Sequence, residues 1–319
     1  MHYTFFRILP VLGFLAIQVP VQSQPIEGLR HVLVIGVDGM SPDGIRMAET
    51  PNMDRLMAEG SYTLHARAVL PSSSSPNWAS MIMGAGPEQH GITSNEWEKD
   101  RYTLPFCAVN EFQHFPTIFY LVYKANPVAE IGAIYHWEGF GRLVEPEVLD
   151  FNRHEETEDL TIQTACKYLT EKRPDFCFIH LDHVDHAGHT FGHGTAEYYQ
   201  SVAKADSLIG EVLHALERTA MLDSTLILIT ADHGGKGKGH GGETLAEMEI
   251  PFILHGPGVK PGYLIQAPVS TMDNAATLAW AQGLELPYVW IGKPVKEAFQ
   301  GYSVPQPAYS PGKEMKSKE

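Results

Sequence analysis

Residues 176–193, FCFIHLDHVDHAGHTFGH, contain the strongest structural signal in this 319-residue chain. The stretch opens with an apolar run after Pro174, which predicts a buried strand. Residues 181–193 then hold four histidines and two aspartates, far more than a packed core or a solvated surface requires. Because ligands bind at the carboxyl ends of the strands in open α/β sheets, this order predicts a site at one edge of a sheet.

The composition of the polar cluster indicates a metal site. Asp185 and His189 are four residues apart, which places both side chains on one side of a helical turn. Carboxylate and imidazole form a ligand set that suits zinc. The alternative is a histidine-rich polar loop, and for a single histidine that alternative is the stronger one. The same chemistry recurs downstream at Asp232-His233 and His240, so the cluster as a whole favours metal binding.

Composition limits the classes of protein to consider. The whole chain is 44% hydrophobic and 19% charged, and residues 24–304 are expected to form one globular domain. The formal net charge of −15 argues against a nucleic acid duplex as partner, because duplex binding draws on clustered cations. An anionic substrate would instead need bound metal ions for positive charge. The three cysteines lack CxxC spacing and predict neither a metal cage nor a disulfide framework, although one disulfide remains open.

The two ends of the chain differ from its centre. In residues 1–23, Arg7 is the only formal charge, residues 8–17 are apolar, and small residues surround a cleavage point near residues 21–23. This pattern predicts a signal peptide and a secreted or periplasmic protein, with no stable membrane span once the signal is removed. An uncleaved anchor is the alternative. Residues 305–319, rich in proline and lysine, are predicted to be a disordered tail.

Three predicted strands deliver acidic residues to the same sheet edge. The apolar run 31–37 ends at Asp38-Gly39, and the run 225–230 leads to Asp232, as the strand beginning at Phe176 leads to Asp185. Amphipathic helices are expected between the strands, at residues 51–59, 155–170, 197–216 and 274–280. The alternation predicts an α/β fold, a three-layer α/β/α sandwich around a largely parallel central sheet.

A serine stretch precedes another predicted helix. Residues 70–91, LPSSSSPNWASMIMGAGPEQHG, place four serines before Pro76 and a helix-compatible run at 77–83. The serines therefore lie at the positive end of the helix, where backbone N–H groups favour the anionic form of a hydroxyl. A flexible serine linker with a helix cap is the alternative when the stretch is considered alone.

Taken in their order along the chain, the motifs described above resemble those of the alkaline phosphatase superfamily, and most closely its nucleotide pyrophosphatase/phosphodiesterase branch. They are Asp38, the serine stretch, Asp185 with His189, Asp232-His233 and His240. The similarity covers most of residues 24–304. It implies two Zn²⁺ ions, one bound by Asp185, His189 and His240 and the other by Asp38, Asp232 and His233. It also implies that Ser74, two residues before Pro76, is the nucleophile and a metal contact, and that Asn95, 21 residues later, binds the phosphate. The implied activity is hydrolysis of a small phosphate-ester or nucleotide substrate through a phosphoseryl intermediate.

Several positions depart from the patterns of the superfamily. Ser74 stands where the branch commonly has threonine, and Ser75 stands where nucleotide-cleaving members often have an aromatic residue. Sulfatases of the superfamily require arginine at the position of Trp78. No arginine adjoins Ser74, which favours diesters over monoesters, with Lys236 and Lys238 as the only substitute cations. Trp78, Trp97 and Trp137 are expected to line an apolar surface for the second ester group.

Three alternatives stay open from the sequence alone. These are a phosphate monoesterase of the superfamily, a sulfatase-like hydrolase, and a non-catalytic zinc-binding periplasmic protein. Ser74 and Asn95 argue against the last of these, because neither residue is needed to hold a metal. The natural substrate and the oligomeric state are not predicted.

Overall fold

A computed structural model describes residues 24–304, so the predicted signal peptide and tail lie outside the described residues. The strands are β1 (His31–Val37), β2 (Ser61–Arg67), β3 (Ile131–Tyr135), β4 (Phe151–His154), β5 (Phe176–Leu181), β6 (Thr225–Thr230), β7 (Glu249–His255) and β8 (Tyr263–Leu264). The α-helices are α1 (Pro42–Met47), α2 (Pro51–Glu59), α3 (Ser74–Met83), α4 (Pro87–His90), α5 (Ile118–Ala125), α6 (Glu158–Lys172), α7 (His183–Phe191), α8 (Ala196–Arg218), α9 (Leu245–Met248) and α10 (Asp273–Ala281). A 3₁₀-helix spans Glu138–Leu143.

The eight strands of residues 24–304 form one sheet in the order β4-β3-β5-β1-β6-β7-β2-β8. β1 lies at its centre and pairs in parallel with β5 on one side and β6 on the other. Only β7 runs antiparallel to its neighbours within this sheet, which confirms the prediction of a largely parallel sheet. Every residue of β5 and β6 is buried, and this explains why both strands are almost continuously apolar in sequence.

The helices form the two outer layers of the predicted three-layer sandwich. One group packs around α8, which contacts α1, α2, α6 and α7. The other group packs around α3, which contacts α4, α5 and α10. None of the helices within residues 24–304 is long and apolar enough to cross a membrane.

A buried carboxylate of α8 holds the beginning of α2. Asp206 accepts hydrogen bonds from the backbone N–H groups of Asn52, at 3.1 Å, and Met53, at 2.8 Å. The Asn52 side chain donates to the same carboxylate at 2.9 Å. The cap residue Thr50 makes no side-chain capping bond, so Asp206 takes over the role that a local cap normally plays. The two helices are therefore joined by polar bonds as well as by packing.

Some element boundaries differ from those expected. α3 begins at Ser74 and not after Pro76, because a proline in the first helical turn replaces an N–H that has no intrahelical acceptor. α6 begins at Glu158, three residues later than expected, because Thr157 caps it by accepting from the N–H of Leu160. All three cysteines of the chain are unpaired in the described structure.

Candidate active site

The ends of β5, β1 and β6 bring the predicted acidic residues together. Asp38 directly follows β1, Asp182 directly follows β5, and Asp232 follows β6 by two residues. Asp38 and Asp232 are buried, and Asp232 accepts a hydrogen bond from the N–H of Gly39 at 3.1 Å. The sheet edge predicted from the sequence is thus where these carboxylates meet.

Gly39 allows α7 to approach this edge closely. Its φ of +67° is disfavoured for residues with a side chain, and a Cβ at this position would lie 2.8 Å from the Cβ of Asp185. The glycine therefore places the first turn of α7 directly over the end of β1, which brings Asp185 next to Asp38.

Three histidines present one ring nitrogen to the site. The Nδ1 atoms of His189, His233 and His240 lie 2.9, 2.8 and 3.0 Å from the backbone oxygens of Lys238, Gly234 and Ser72. Because a carbonyl oxygen only accepts, each Nδ1 carries the hydrogen and each Nε2 has a free lone pair in the neutral ring. This is the arrangement in which backbone carbonyls fix the orientation of metal-binding imidazoles.

The first set of candidate ligands comprises Asp185, His189 and His240, whose ligand atoms lie within 4.8 Å of one another. The Nε2 atoms of the two histidines are only 3.2 Å apart, and two lone pairs at this distance repel unless a proton or metal ion lies between them. The hydrogen bond with Asp185 raises the pKa of His189 to about 9. Burial raises the pKa of Asp185, but the hydrogen bond with His189 and the charges of His233 and His240 outweigh it and lower this pKa to about 2.

The second set expected from the sequence is Asp38, Asp232 and His233, and the structure also brings Asp185 within metal-binding reach of Asp38 and His233. Nε2 of His233 lies 3.4 Å from Oδ1 of Asp38 and 3.1 Å from Oδ2 of Asp232. Burial and the charge of Asp232 raise the pKa of Asp38, and burial raises the pKa of Asp232 to about 8. Within the described residues, neither Oδ1 of Asp38 nor Oδ2 of Asp232 has a hydrogen-bond partner. Buried, unpaired carboxylate oxygens beside imidazole lone pairs fit divalent metal ions, and zinc suits this mixture of donors.

The other oxygen of Asp38 is held by two side chains that the sequence did not point to as partners. Nε1 of Trp78 donates to Oδ2 at 3.0 Å, and Nε2 of His180 lies 3.3 Å from the same atom. Nδ1 of His180 faces the N–H of Trp137 at 3.5 Å, which favours the tautomer that donates from Nε2. His180 and Asp182 also lie within metal-binding reach of Asp38, but this tautomer makes His180 a hydrogen-bond donor that orients the carboxylate.

The tryptophan part of the sequence-based prediction is wrong for two of the three side chains. Trp78 has no exposed surface and lies beneath Asp38, and Trp97 is only 4% exposed. Neither indole can provide an open surface for an ester group. Trp137 is partly exposed and stays a candidate.

Ser74 is the first residue of α3 and is buried. Its Oγ lies 3.3 Å from Nε2 of His233, which places the hydroxyl beside the second set. Ser72 serves another purpose: its Oγ donates to the backbone oxygen of Gly242 at 2.6 Å and so supports the loop that carries His240. The role of Ser74 as the nucleophile stays a prediction.

Asn95 lies beside the N-terminus of α3. Its Oδ1 accepts a hydrogen bond from the backbone N–H of Ser75 at 2.8 Å. This N–H is therefore engaged with Asn95 and orients its side chain. The Nδ2 group is then the remaining donor of the Asn95 side chain.

Two cations near the site are already engaged. Nζ of Lys238 donates to the backbone oxygen of Thr190 at 2.8 Å, so this lysine contributes to the site mainly through its carbonyl contact with His189. Arg142, which the sequence did not single out, donates to the backbone oxygen of Asn95 at 3.0 Å and to Glu98 at 2.6 Å. Its separation of 47 residues from Asn95 left no local pattern that would reveal the contact.

Comparison with known proteins places this geometry in a family context. A family model described as type I phosphodiesterase / nucleotide pyrophosphatase matches residues 32–239. Ectonucleotide pyrophosphatase/phosphodiesterase family member 3 of Bos taurus is 25% identical over 230 residues, which cover 67% of this chain and 26% of that protein. The chain thus spans about a quarter of the length of this relative.

Solved structures show the same fold. Murine ectonucleotide pyrophosphatase/phosphodiesterase 5 in complex with AMP is similar with a TM-score of 0.68 and 15% identity, over 81% of this chain and 96% of that chain. Phosphonate monoester hydrolase of Agrobacterium radiobacter is similar with a TM-score of 0.68 and 15% identity, over 87% of this chain and 78% of that one. The matched segment 32–239 covers more than half of the chain and includes six of the seven metal-site residues expected from the sequence, His240 lying one residue beyond it. The chain belongs to the type I phosphodiesterase / nucleotide pyrophosphatase family.

Proposed function

We propose that this protein is an exported, zinc-dependent phosphodiesterase/nucleotide pyrophosphatase that hydrolyses phosphate esters through a phosphoseryl intermediate on Ser74. The observation that carries the proposal is the position of the Ser74 hydroxyl, at the N-terminus of α3 and 3.3 Å from Nε2 of His233. Membership of the family supports the reaction class.

Two zinc ions would occupy the two sets of side chains. Asp185, His189 and His240 would hold one ion, and Asp38, Asp232 and His233 would hold the other, with Ser74 as a further contact. When bound, the ions supply positive charge to the phosphoryl group and to the oxygens that attack it and leave it.

The side chains then divide the chemistry between them. Ser74 Oγ attacks phosphorus and the bond from phosphorus to the leaving oxygen breaks, which releases an alcohol or a phosphate ester and leaves phosphoserine. Backbone N–H groups at the start of α3 favour the Ser74 alkoxide. Nδ2 of Asn95 donates to a phosphoryl oxygen, a type of contact worth about 3 kcal/mol in the transition state. Water then attacks phosphorus and the bond from phosphorus to Ser74 Oγ breaks, which releases the phosphate monoester and restores the Ser74 hydroxyl.

The charges around the site support a diester or pyrophosphate substrate. A monoester brings more negative charge to the transferred group than a diester does. Within residues 24–304, Arg142 is paired with Glu98 and Lys238 is bonded to Thr190, so neither is a free counter-charge, and of the two lysines only the exposed Lys236 is left to serve as one. The structure of the murine relative holds AMP, which is a product-sized nucleotide for such a reaction.

A substrate panel on one zinc-loaded preparation tests the proposal. We expect kcat/KM for p-nitrophenyl thymidine monophosphate to exceed that for p-nitrophenyl phosphate by about tenfold or more, about 1.4 kcal/mol in barrier. A tenfold preference for the monoester would make the protein a monoesterase, and turnover of p-nitrophenyl sulfate alone would make it sulfatase-like. Bound zinc without any turnover would leave a zinc-binding protein.

Export is proposed from the pattern of residues 1–23 described above. The expected mature protein begins near residue 24, and residues 24–304 form the catalytic domain. Sequencing the N-terminus of the protein recovered from the culture medium or periplasm checks this. An N-terminus at Met1 in a membrane fraction would instead support the uncleaved anchor.

A further inference from the structure

We infer that Arg142 is a positioning residue that holds Asn95 in the orientation needed to bind a phosphoryl oxygen, an inference that rests on the proposed function. Arg142 lies in the 3₁₀-helix Glu138–Leu143, and one terminal nitrogen of its guanidinium donates to the backbone oxygen of Asn95 at 3.0 Å. The other terminal nitrogen donates to Oε1 of Glu98 at 2.6 Å. The side chain is largely covered, with 28% exposed.

Asn95 depends on contacts from outside its own segment. It lies in a turn that belongs to no helix or long strand, and the nearest backbone bond of this turn runs from the N–H of Trp97 to the oxygen of Ser94. On the site side, Asn95 is held by the N–H of Ser75, and on the opposite side by Arg142. The residue is therefore clamped between the start of α3 and the segment that follows β3.

Arginine is suited to this position by its shape. Its planar guanidinium can donate to the Asn95 carbonyl and the Glu98 carboxylate simultaneously, whereas a lysine ammonium offers a single point of charge. The guanidinium carbon also lies 5.9 Å from the ring centroid of Trp137. These three contacts fix both the place and the plane of the group.

Arg142 acts through Asn95 and not as a free cation for substrate. The carboxylate of Glu98 at 2.6 Å neutralises the charge of Arg142. Loss of the guanidinium would free the turn, and the Nδ2 donor of Asn95 would no longer be aligned with the oxygen that gains charge in the transition state. A contact that matters most in the transition state affects kcat more than KM, and a displacement of about 1 Å can cost about a hundredfold in rate.

The chain offers a matched control in Arg101. This arginine lies 3.9 Å from the same Glu98 but is 74% exposed, and its hydrogen bond goes to the backbone oxygen of Glu96 at 3.4 Å. We expect Arg142→Met to lower kcat for the thymidine diester by about tenfold or more with KM changed by less than about threefold. Arg101→Met should stay within about twofold of wild type. Equal kinetics for the two variants would overturn the inference.

A double-mutant cycle separates positioning from a general structural role. Asn95→Ala alone should lower kcat by about a hundredfold. The double variant with Arg142→Met should have a kcat within about twofold of that of Asn95→Ala. Multiplicative losses in the double variant would show that Arg142 acts independently of Asn95. Thermal unfolding of each variant checks folding. If the methionine variant is unstable, Arg142→Lys, which retains one donor, takes its place and should show an intermediate kcat.

Binding of inorganic phosphate gives a readout that does not require turnover. In calorimetry on zinc-loaded protein, Arg142→Met should weaken phosphate binding about threefold or more when Asn95 is present and leave it unchanged in the Asn95→Ala background. If the wild type binds phosphate in this pattern but hydrolyses no ester, the proposed function fails and the positioning role stands. If the wild type hydrolyses the diester and both arginine variants match it, only the positioning role fails.

Discussion

His240 shows how distant parts of the chain orient a candidate metal ligand. The backbone oxygen of Ser72 lies 3.0 Å from its Nδ1, and its Nε2 faces His189 at 3.2 Å. Neither contact is local in sequence, since 168 residues separate His240 from Ser72. The sequence therefore predicted the histidine as a candidate ligand but not the serine segment that orients it.

Removal of His240 should cost one of the two zinc ions. We expect His240→Ala to carry about one zinc per chain by elemental analysis, against about two for wild type, and to lose nearly all turnover, because only Asp185 and His189 would remain in the first set. The matched control is His214→Ala, an exposed histidine of α8, which should retain two ions. Two ions in the His240→Ala protein would contradict the assignment of the first set.

The same limit applies to the other residues that the sequence missed. His180 contacts Asp38 across 142 residues, and Arg142 contacts Asn95 across 47. Spacing patterns reveal only residues that lie close along the chain or that follow successive strands. Asp185 and His189 satisfy the first condition, and Asp38 and Asp232 satisfy the second, which is why the sequence could point to all four.

At the scale of elements, continuous apolar strands were predictable and mixed ones were not. β1 and β6 were expected at their observed bounds because helices cover both faces of the sheet. Residues that point to either face are therefore apolar, and each strand reads as a continuous apolar run. β2 escaped prediction because partly exposed and buried positions alternate along it and its polar residues resemble a loop. β4, with three exposed residues of four, lies at the sheet edge and has little apolar signal.

The junction of α2 with α8 should depend on Asp206. We expect Asp206→Ala to lower the free energy of unfolding by about 2 kcal/mol or more, because the backbone N–H groups of Asn52 and Met53 would lose their acceptor in a buried place. Asp223→Ala, which removes an exposed carboxylate, should change it by less than about 0.5 kcal/mol in urea unfolding. Equal stabilities for the two variants would show that α2 needs no cap from α8.

The whole molecule combines a strongly acidic chain with a site for which we propose anionic substrates. The net charge is −15, and the sheet edge concentrates buried carboxylates whose pKa values are raised at Asp38 and Asp232. Bound divalent ions would resolve this conflict, since they would compensate the carboxylates and supply the positive charge that the chain lacks. The order of the motifs along the chain made this architecture predictable, whereas the contacts that orient each ligand required the folded structure.

The central claim, that Ser74 is the nucleophile of a zinc-dependent phosphodiesterase, is tested most directly by measuring diester turnover in three zinc-loaded proteins. These are the wild type, Ser74→Ala and the matched control Ser75→Ala. We predict that the wild type and Ser75→Ala release p-nitrophenol from p-nitrophenyl thymidine monophosphate at similar rates. Ser74→Ala should bind zinc and fold, but its turnover should be slower by a factor of about a thousand or more, as expected when a covalent nucleophile is removed. An active Ser74→Ala protein beside an inactive Ser75→Ala protein would contradict the account.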